Sequence, residues 1–249
     1  RLATMTEPRL AWVEPGVPLP DPSEALDDPP GLLAAGRDLG VARLLEAYAK
    51  GAFPWYSDDQ PVLWWSPDPR MVLLTAEFHL SRSLRQRCRQ MHRAGAWTVT
   101  LDAAFDEVVA ACAHTIRRGQ AGTWITTEMR QAYGDLHRAG FAHSVEIWRQ
   151  SPDGRELAGG LYGVAIGRMF FGESMFSREA DASKAALGAL VGALGRHGFP
   201  VIDCQQATPH LASLGAREIP RVSFLELVRE LTRQAAPDWR AMAIELPLG

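Results

Sequence analysis

Apolar residues recur at helical spacing early in the chain, where Leu44, Leu45 and Tyr48 share one face between Leu39 and Lys50. Asp38 stands before this run as a cap and Gly51 after it as a stop. Further on, the alternation of apolar and polar positions predicts strands over Met71–Leu74, Trp97–Leu101, His143–Arg149, Leu161–Ile166, Met169–Gly172 and Val201–Cys204. Helical spacing predicts helices over Ser81–Arg93, Ala103–Ala113, Thr127–Ala139 and Ala182–Arg196, and Leu211–Leu214 is a short apolar run opening into Gly215. Strands and helices interleaved in this way make an α+β protein. The first thirty residues, rich in proline and acid, favour extended chain over helix or strand. An aromatic loop follows, with Phe53-Pro54-Trp55-Tyr56 and Trp64-Trp65-Ser66-Pro67-Asp68-Pro69. We place a boundary at Asp68, giving a small N-terminal domain over residues 1–68 and a larger one over 69–249. There is no internal repeat.

Composition adds exclusions. The 249 residues are 47% hydrophobic and 22% charged, which excludes disordered and collagen-like chains. Cys88, Cys112 and Cys204 are odd in number and far apart, so neither a disulfide framework nor a zinc knuckle is expected. No apolar run approaches the roughly 18 residues that span a bilayer, and no secretory signal opens the chain, so a cytoplasmic, membrane-free protein is expected. The first methionine, Met5, is the expected natural start.

The formal net charge of −3 argues against a nucleic-acid partner until the charges are located. Arg82, Arg85, Arg89 and Arg93 follow i, i+3, i+7, i+11 spacing, placing four guanidinium groups on one helical stripe. No acidic residue interrupts the chain between Glu77 and Asp102. A solvated helix face ordinarily carries glutamates for i,i+4 pairing, and their absence leaves the stripe open to either reading, a solvated face or a phosphate-binding surface.

Several long words carry more specific information: Gly51-Ala-Phe-Pro-Trp55, Leu63-Trp-Trp-Ser-Pro-Asp-Pro-Arg70, Thr123-Trp-Ile125, Ala142-His-Ser-Val-Glu146, Gly159-Gly-Leu-Tyr-Gly163, Phe170-Phe-Gly-Glu-Ser-Met-Phe-Ser177, Ile202-Asp-Cys-Gln205 and His210-Leu-Ala-Ser-Leu-Gly-Ala216. In this order they closely resemble the bacterial leucyl/phenylalanyl-tRNA protein transferase family, from about Leu19 to Leu231. Gly36-Arg37-Asp38 departs from the family's usual two glycines before the aspartate, and the tail after Arg233 has no counterpart in the pattern. The resemblance implies transfer of leucine or phenylalanine from its tRNA to the α-amino group of proteins beginning with Arg or Lys, marking them for N-end rule degradation. It also implies a GNAT-like acyltransferase domain after the small N-terminal one.

For the chemistry, the donor is an ester and already activated, so no cofactor or metal is expected. Orientation and charge control suffice. Asp203 and Gln205 stand two apart on a predicted strand and are expected to share a face. The resemblance makes them the catalytic pair, with the Gln205 carbonyl orienting the attacking amine and Asp203 supporting it. The final proton acceptor stays open between water and a ribose hydroxyl. Glu173 follows an apolar strand, where an acidic side chain can meet the acceptor's cation or bond a nearby loop. Leu161, Phe170, Met175, Leu187, Leu190 and Ile202 match the family's apolar pocket, although each also suits ordinary core packing. Trp55 and Trp124 match positions that contact the terminal adenosine, with Tyr133 nearby. The spacing of Cys204 and His210 suggests a thiol nucleophile only weakly, since alternation turns Cys204 from the Asp203–Gln205 face.

Three other readings compete. Peptidyl transferases that build cell-wall bridges are usually longer and carry a helical arm. A non-catalytic RNA-binding protein would not need Glu173, Asp203 and Gln205 together. A CoA-dependent acetyltransferase needs a pyrophosphate loop after the Met169–Gly172 strand, and that loop is absent from the sequence. Neutralising Arg82, Arg85 and Arg89 is expected to weaken tRNA binding and to flatten the dependence of log K on log salt; an unchanged slope in a filter-binding titration would make the stripe a solvated face.

Overall fold

The computed structural model describes residues 10–115, 125–152 and 154–249. In chain order the elements are β1 (Ala11–Val13), β2 (Leu32–Gly36), α1 (Val41–Ala49), β3 (Phe53–Pro54), β4 (Val62–Trp65), β5 (Arg70–Leu74), α2 (Arg82–Arg93), β6 (Trp97–Leu101), α3 (Phe105–Ala113), α4 (Thr127–Arg138), β7 (Ala142–Ser151), β8 (Gly154–Ile166), β9 (Met169–Ser177), α5 (Ala182–Arg196), β10 (Val201–Gln205), α6 (Pro209–Ser213), β11 (Arg217–Ile219) and α7 (Arg221–Leu231). Short 3-10 turns cover Pro22–Glu24, Thr75–Glu77 and Trp239–Ala241. The expected mixed α+β order is present. None of the described helices is long and apolar enough to cross a membrane.

Two sheets organise the chain. The first is four-stranded, in the order β1-β2-β4-β3, with β1 and β2 parallel and the other pairs antiparallel. The second is seven-stranded, in the order β11-β5-β10-β9-β8-β7-β6. Its only parallel ladder among the described residues joins β9 to β10, and α5 connects these two strands. That ladder covers two pairs, Ile202 with Phe170 and Asp203 with Phe171, so beyond them the strands are free to separate.

Strand alternation sorts the large sheet's side chains into two cores. One contains Val72, Tyr162, Phe171 and Val201 with α3, α4 and the N-terminal residues Tyr48, Phe53 and Trp64. The other contains Met71, Leu161, Phe170 and Ile202 with α2, α5 and the tail residues Trp239, Met242 and Leu246. The first core therefore runs without interruption from the small sheet into the large one.

Several sequence expectations are corrected. The aromatic stretch read as loop supplies β3 and β4: Phe53 pairs with Trp65 and Pro54 with Trp64, so these aromatics are ladder residues. The proline-rich start, read as extended chain rather than strand or helix, contains β1 and a 3-10 turn capped by Asp21. β2 and α7 lie in stretches with no predicted element. The N-cap of α1 is Gly40, while Asp38, two residues earlier, accepts a hydrogen bond at Oδ1 from the Gly40 amide. Leu211–Leu214 largely falls within α6, opened by the Thr208 hydroxyl. By contrast, α2 starts where the sequence places it, with Ser81 Oγ accepting from Leu84 N.

Gly51 ends α1 at φ +77°, and a Cβ there would stand 2.4 Å from Leu225 Cδ2 and 3.1 Å from Phe224 Cε1. Gly51→Ala combines a left-handed backbone with this overlap and is expected to lower stability by about 1–3 kcal/mol, read from the denaturant midpoint. An unchanged midpoint would contradict this packing of α7 on the α1 terminus.

Candidate active site

The site is built outward from a buried ion pair. Arg70, at the start of β5, donates from Nε to Asp203 Oδ1 at 2.8 Å and from Nη2 to Oδ2 at 2.7 Å. Both side chains have no exposed surface. The rings of Phe53 and Phe224 flank the guanidinium, with centroids 4.7 and 4.4 Å from its carbon. Such a fork-to-fork pair fixes the carboxylate's plane as well as its charge.

Asp203 also bends the next residues. Its Oδ1 accepts from the Gln205 backbone N–H at 2.9 Å, and Gln205 takes the left-handed value φ +64°. Opposite this bend, Val72 and Met71 on β5 face Asp203 and Gln205, with Cys204 extra, which is a β-bulge. The bulge overturns the expected shared face. Asp203 stays in the core, whereas Cys204 and Gln205 both reach the cavity wall.

Glu173 is the third part. It lies inside β9, four residues before the strand ends, rather than beyond the strand. Gln205 Nε2 donates to Glu173 Oε1 at 2.9 Å, which leaves the amide carbonyl oxygen unused by this bond. Tyr48 Oη donates to Oε1 at 2.6 Å and Tyr133 Oη to Oε2 at 3.0 Å, while the two phenol oxygens also contact each other. Burial pushes the Glu173 carboxyl up to about 8, helped by the Asp203 charge and opposed by the two tyrosine hydroxyls and by Arg70. Both tyrosines are pushed well above their ordinary range, chiefly by burial and then by Glu173.

A cavity of about 500 Å³ opens where β9 and β10 separate. Leu161, Phe170, Met175, Leu187, Leu190 and Ile202 all line it. Glu173 and Gln205 form part of its polar wall, and Trp55 lies at the lining beside Pro54. Trp65 steadies Trp55 by donating from Nε1 to its carbonyl at 2.7 Å and by an edge contact at 5.6 Å. His210 also lines the cavity, its imidazole pushed down by burial and then by Lys184. The Cys204 thiol is pushed well up by burial and by Asp203, which removes the thiolate a nucleophile needs.

Tyr133 is corrected: it is fully buried behind Glu173, absent from the cavity lining, and cannot stack on a base. Trp124 lies outside the described residues. On α2, Arg82, Arg89 and Arg93 are exposed and Arg85 is partly so. Arg89 is already engaged, donating from Nε to the Leu248 carbonyl at 2.7 Å. Sequence reasoning quoted Arg70 and Tyr48 but gave neither a part in the site. Arg70 closes the Trp-Trp-Ser-Pro-Asp-Pro-Arg word, and an arginine entering an apolar strand is the signal that pointed to it. No group of three His, Cys, Asp or Glu side chains among the described residues is arranged to hold a metal.

Comparison with known proteins gives this geometry a family. Residues 72–229 match the family model described as leucyl/phenylalanyl-tRNA protein transferase, and residues 37–68 match that of its N-terminal domain. A Bordetella petrii leucyl/phenylalanyl-tRNA protein transferase is 56% identical over 94% of this chain and 92% of its own. The chain belongs to the leucyl/phenylalanyl-tRNA protein transferase family. It is an aminoacyltransferase. A Paraburkholderia phytofirmans transferase of this family is 54% identical over 93% of this chain and 94% of its own. Among solved structures, FemX aligns over 76% of this chain and 71% of its own with a TM-score of 0.45 and 12% identity.

The Glu173 carboxyl of this transferase sets a stability slope. Its folded value of about 8 exceeds the ordinary 4.5, so the folded state binds more protons than the unfolded chain between those values. Stability contributed by Glu173 is therefore greatest below pH 4.5, falls through the window by at most about 1.4 kcal/mol per pH unit, and levels off above 8. Thermal melts of Glu173→Gln and the parent protein are expected to diverge in favour of the variant from pH 5 to 8; a pH-independent difference would contradict the raised carboxyl.

Proposed function

We propose that this aminoacyltransferase moves leucine or phenylalanine from its tRNA to the α-amino group of proteins beginning with Arg or Lys, and that this transfer marks them for N-end rule degradation in the cytoplasm. The observation that carries the reading is the cavity's division into two kinds of wall. Six apolar side chains form one wall, suited to a side chain without polar groups. Glu173 and the Gln205 carbonyl form the other, suited to an incoming amine and its cationic side chain.

The aminoacyl ester is expected to lie with its side chain among Leu161, Phe170, Met175, Leu187, Leu190 and Ile202. The wall offers no charge to pair with a polar side chain, so such residues are rejected for want of partners. Trp55 and Trp124 are proposed to contact the terminal adenosine, and the indole face suits base stacking. The arginines at 82, 85, 89 and 93 are proposed to hold tRNA phosphates.

Reaction is aminolysis of the ester. The α-amino group, with an ordinary pKa of about 7.7–8.0, has a sizeable neutral fraction at neutral pH. Its nitrogen lone pair attacks the ester carbonyl carbon while one N–H points to the Gln205 carbonyl oxygen. The tetrahedral centre then loses a proton from nitrogen and expels the ribose oxygen, which takes up a proton. Gln205 is in this account the group touching the amine. Asp203 is a positioning residue behind it, acting through the Gln205 backbone and not through its side-chain amide. Glu173 turns the amide by accepting from its NH2 group in either protonation state, so the carbonyl faces the amine. An arriving cation favours the ionised form of Glu173.

The same reading divides the chain at Asp68 into a small N-terminal domain and a GNAT-like acyltransferase domain. The short parallel β9–β10 ladder, opening onto the cavity, supports it.

The test is incubation with radiolabelled leucyl-tRNA and peptides beginning with Arg, Lys or Ala. Label is expected on the Arg and Lys peptides alone, and Gln205→Ala is expected to lower the rate by about 100-fold with tRNA binding intact. No transfer by the parent protein, or equal labelling of the Ala peptide, would contradict the reading.

A further inference from the structure

The tail beyond α7 has a defined seat. Trp239, Met242 and Leu246 are buried in the core that contains the cavity's apolar wall. The Trp239 indole lies flat on the His143 imidazole, centroids 3.7 Å apart and planes 10° from parallel. His143 is in turn held by Asp102 at 2.7 Å. The same indole meets Phe170 at 6.1 Å and Phe199 at 5.9 Å. Farther along, Pro247 presses on α5 at Gly188, where a Cβ would come within 2.8 Å of Pro247 Cγ. Two backbone carbonyls fasten the segment: Ala243 accepts from Arg196 at 3.0 Å and Leu248 from Arg89 at 2.7 Å.

These contacts fall directly behind the cavity. Phe170, which Trp239 touches, lines it from β9. Gly188, which Pro247 touches, stands between Leu187 and Leu190, which line it from α5. Protein interiors are close-packed, so the depth of a wall is set by what stands behind it. We propose that the segment Trp239–Leu248 is a strap that sets the depth of the acyl pocket, with Trp239 and Pro247 as positioning residues that determine preference between leucine and phenylalanine. The inference rests on the cavity being the acyl site.

The strap acts through volume. Removing the Trp239 rings opens space into which Phe170 can retreat, and the deepened pocket accommodates the longer, flat phenylalanine side chain better while leucine loses contacts. Removing the Pro247 ring does the same at the α5 wall on a smaller scale. Retaining an aromatic ring at 239 restores most of the backing.

The experiment measures kcat/KM with leucyl-tRNA and phenylalanyl-tRNA, using an acceptor peptide beginning with Arg, for the parent protein, Trp239→Ala, Trp239→Phe and Pro247→Ala, with a thermal melt of each. The phenylalanine-to-leucine ratio is expected to rise about tenfold in Trp239→Ala, the lower end of what one methylene of pocket is worth, to rise less in Pro247→Ala, and to return close to the parent value in Trp239→Phe. If Trp239→Ala fails to fold, Pro247→Ala carries the comparison against the parent protein. Folded Trp239→Ala or Pro247→Ala protein that loses both activities by one common factor, or keeps the parent ratio, would overturn the strap's role, as would a Trp239→Phe ratio as high as that of Trp239→Ala. A parent protein that transfers neither amino acid would overturn the acyl-transfer reading itself.

Discussion

The Arg70–Asp203 ion pair is the interaction on which the site depends. Two charges without exposed surface are costly to bury, and this two-point contact offsets part of that cost. The phenylalanines flanking Arg70 come from β3 in the small sheet and from α7 near the end of the chain. One guanidinium thus gathers the N-terminal sheet, two strands of the large sheet and a C-terminal helix. Taking away either charge would leave its partner buried and uncompensated, a loss of about 3–5 kcal/mol.

From that pair the site follows by short steps. Asp203 is held still, so its oxygen can hold the Gln205 amide in a left-handed bend that a free strand end would not keep. The bend carries the Gln205 side chain to Glu173, whose other contacts are two phenols from α1 and α4. The Glu173 carboxyl and the Gln205 NH2 group are thus committed to each other, which leaves the Gln205 carbonyl unused by that bond. The opposite wall is apolar and is backed by α5 and the tail. The proposed aminolysis asks for orientation more than for acid or base strength, and a neutral amide as the proposed acceptor matches it.

How far this was legible depends on the kind of pattern. The helix Ala182–Arg196 and the strand Trp97–Leu101 have the bounds that periodicity assigned them, because each is long or evenly alternating. The six apolar cavity residues were recognisable through whole motif words, and all six converge. β3 and β4 were not legible: they are short and crowded with proline and tryptophan, signals that ordinarily mean loop. Nor was the true aspect of Asp203, because alternation assumes a regular strand and the bulge breaks it. Tyr133 was placed near the adenosine on the resemblance, and a motif match does not reveal that its hydroxyl is buried behind Glu173. The tail showed apolar residues without a partner, and only the fold supplied one in α5 and Phe170.

The central claim is that Arg70 and Asp203 act as one unit through the Gln205 backbone. A double-mutant cycle on the kcat of leucyl transfer, with Arg70→Met, Asp203→Leu and both together, tests it most directly. The account predicts that each single change lowers kcat by about 100-fold and that the double change lowers it no further. Losses that multiply in the double variant would mean that the two residues contribute separately, and would contradict the account.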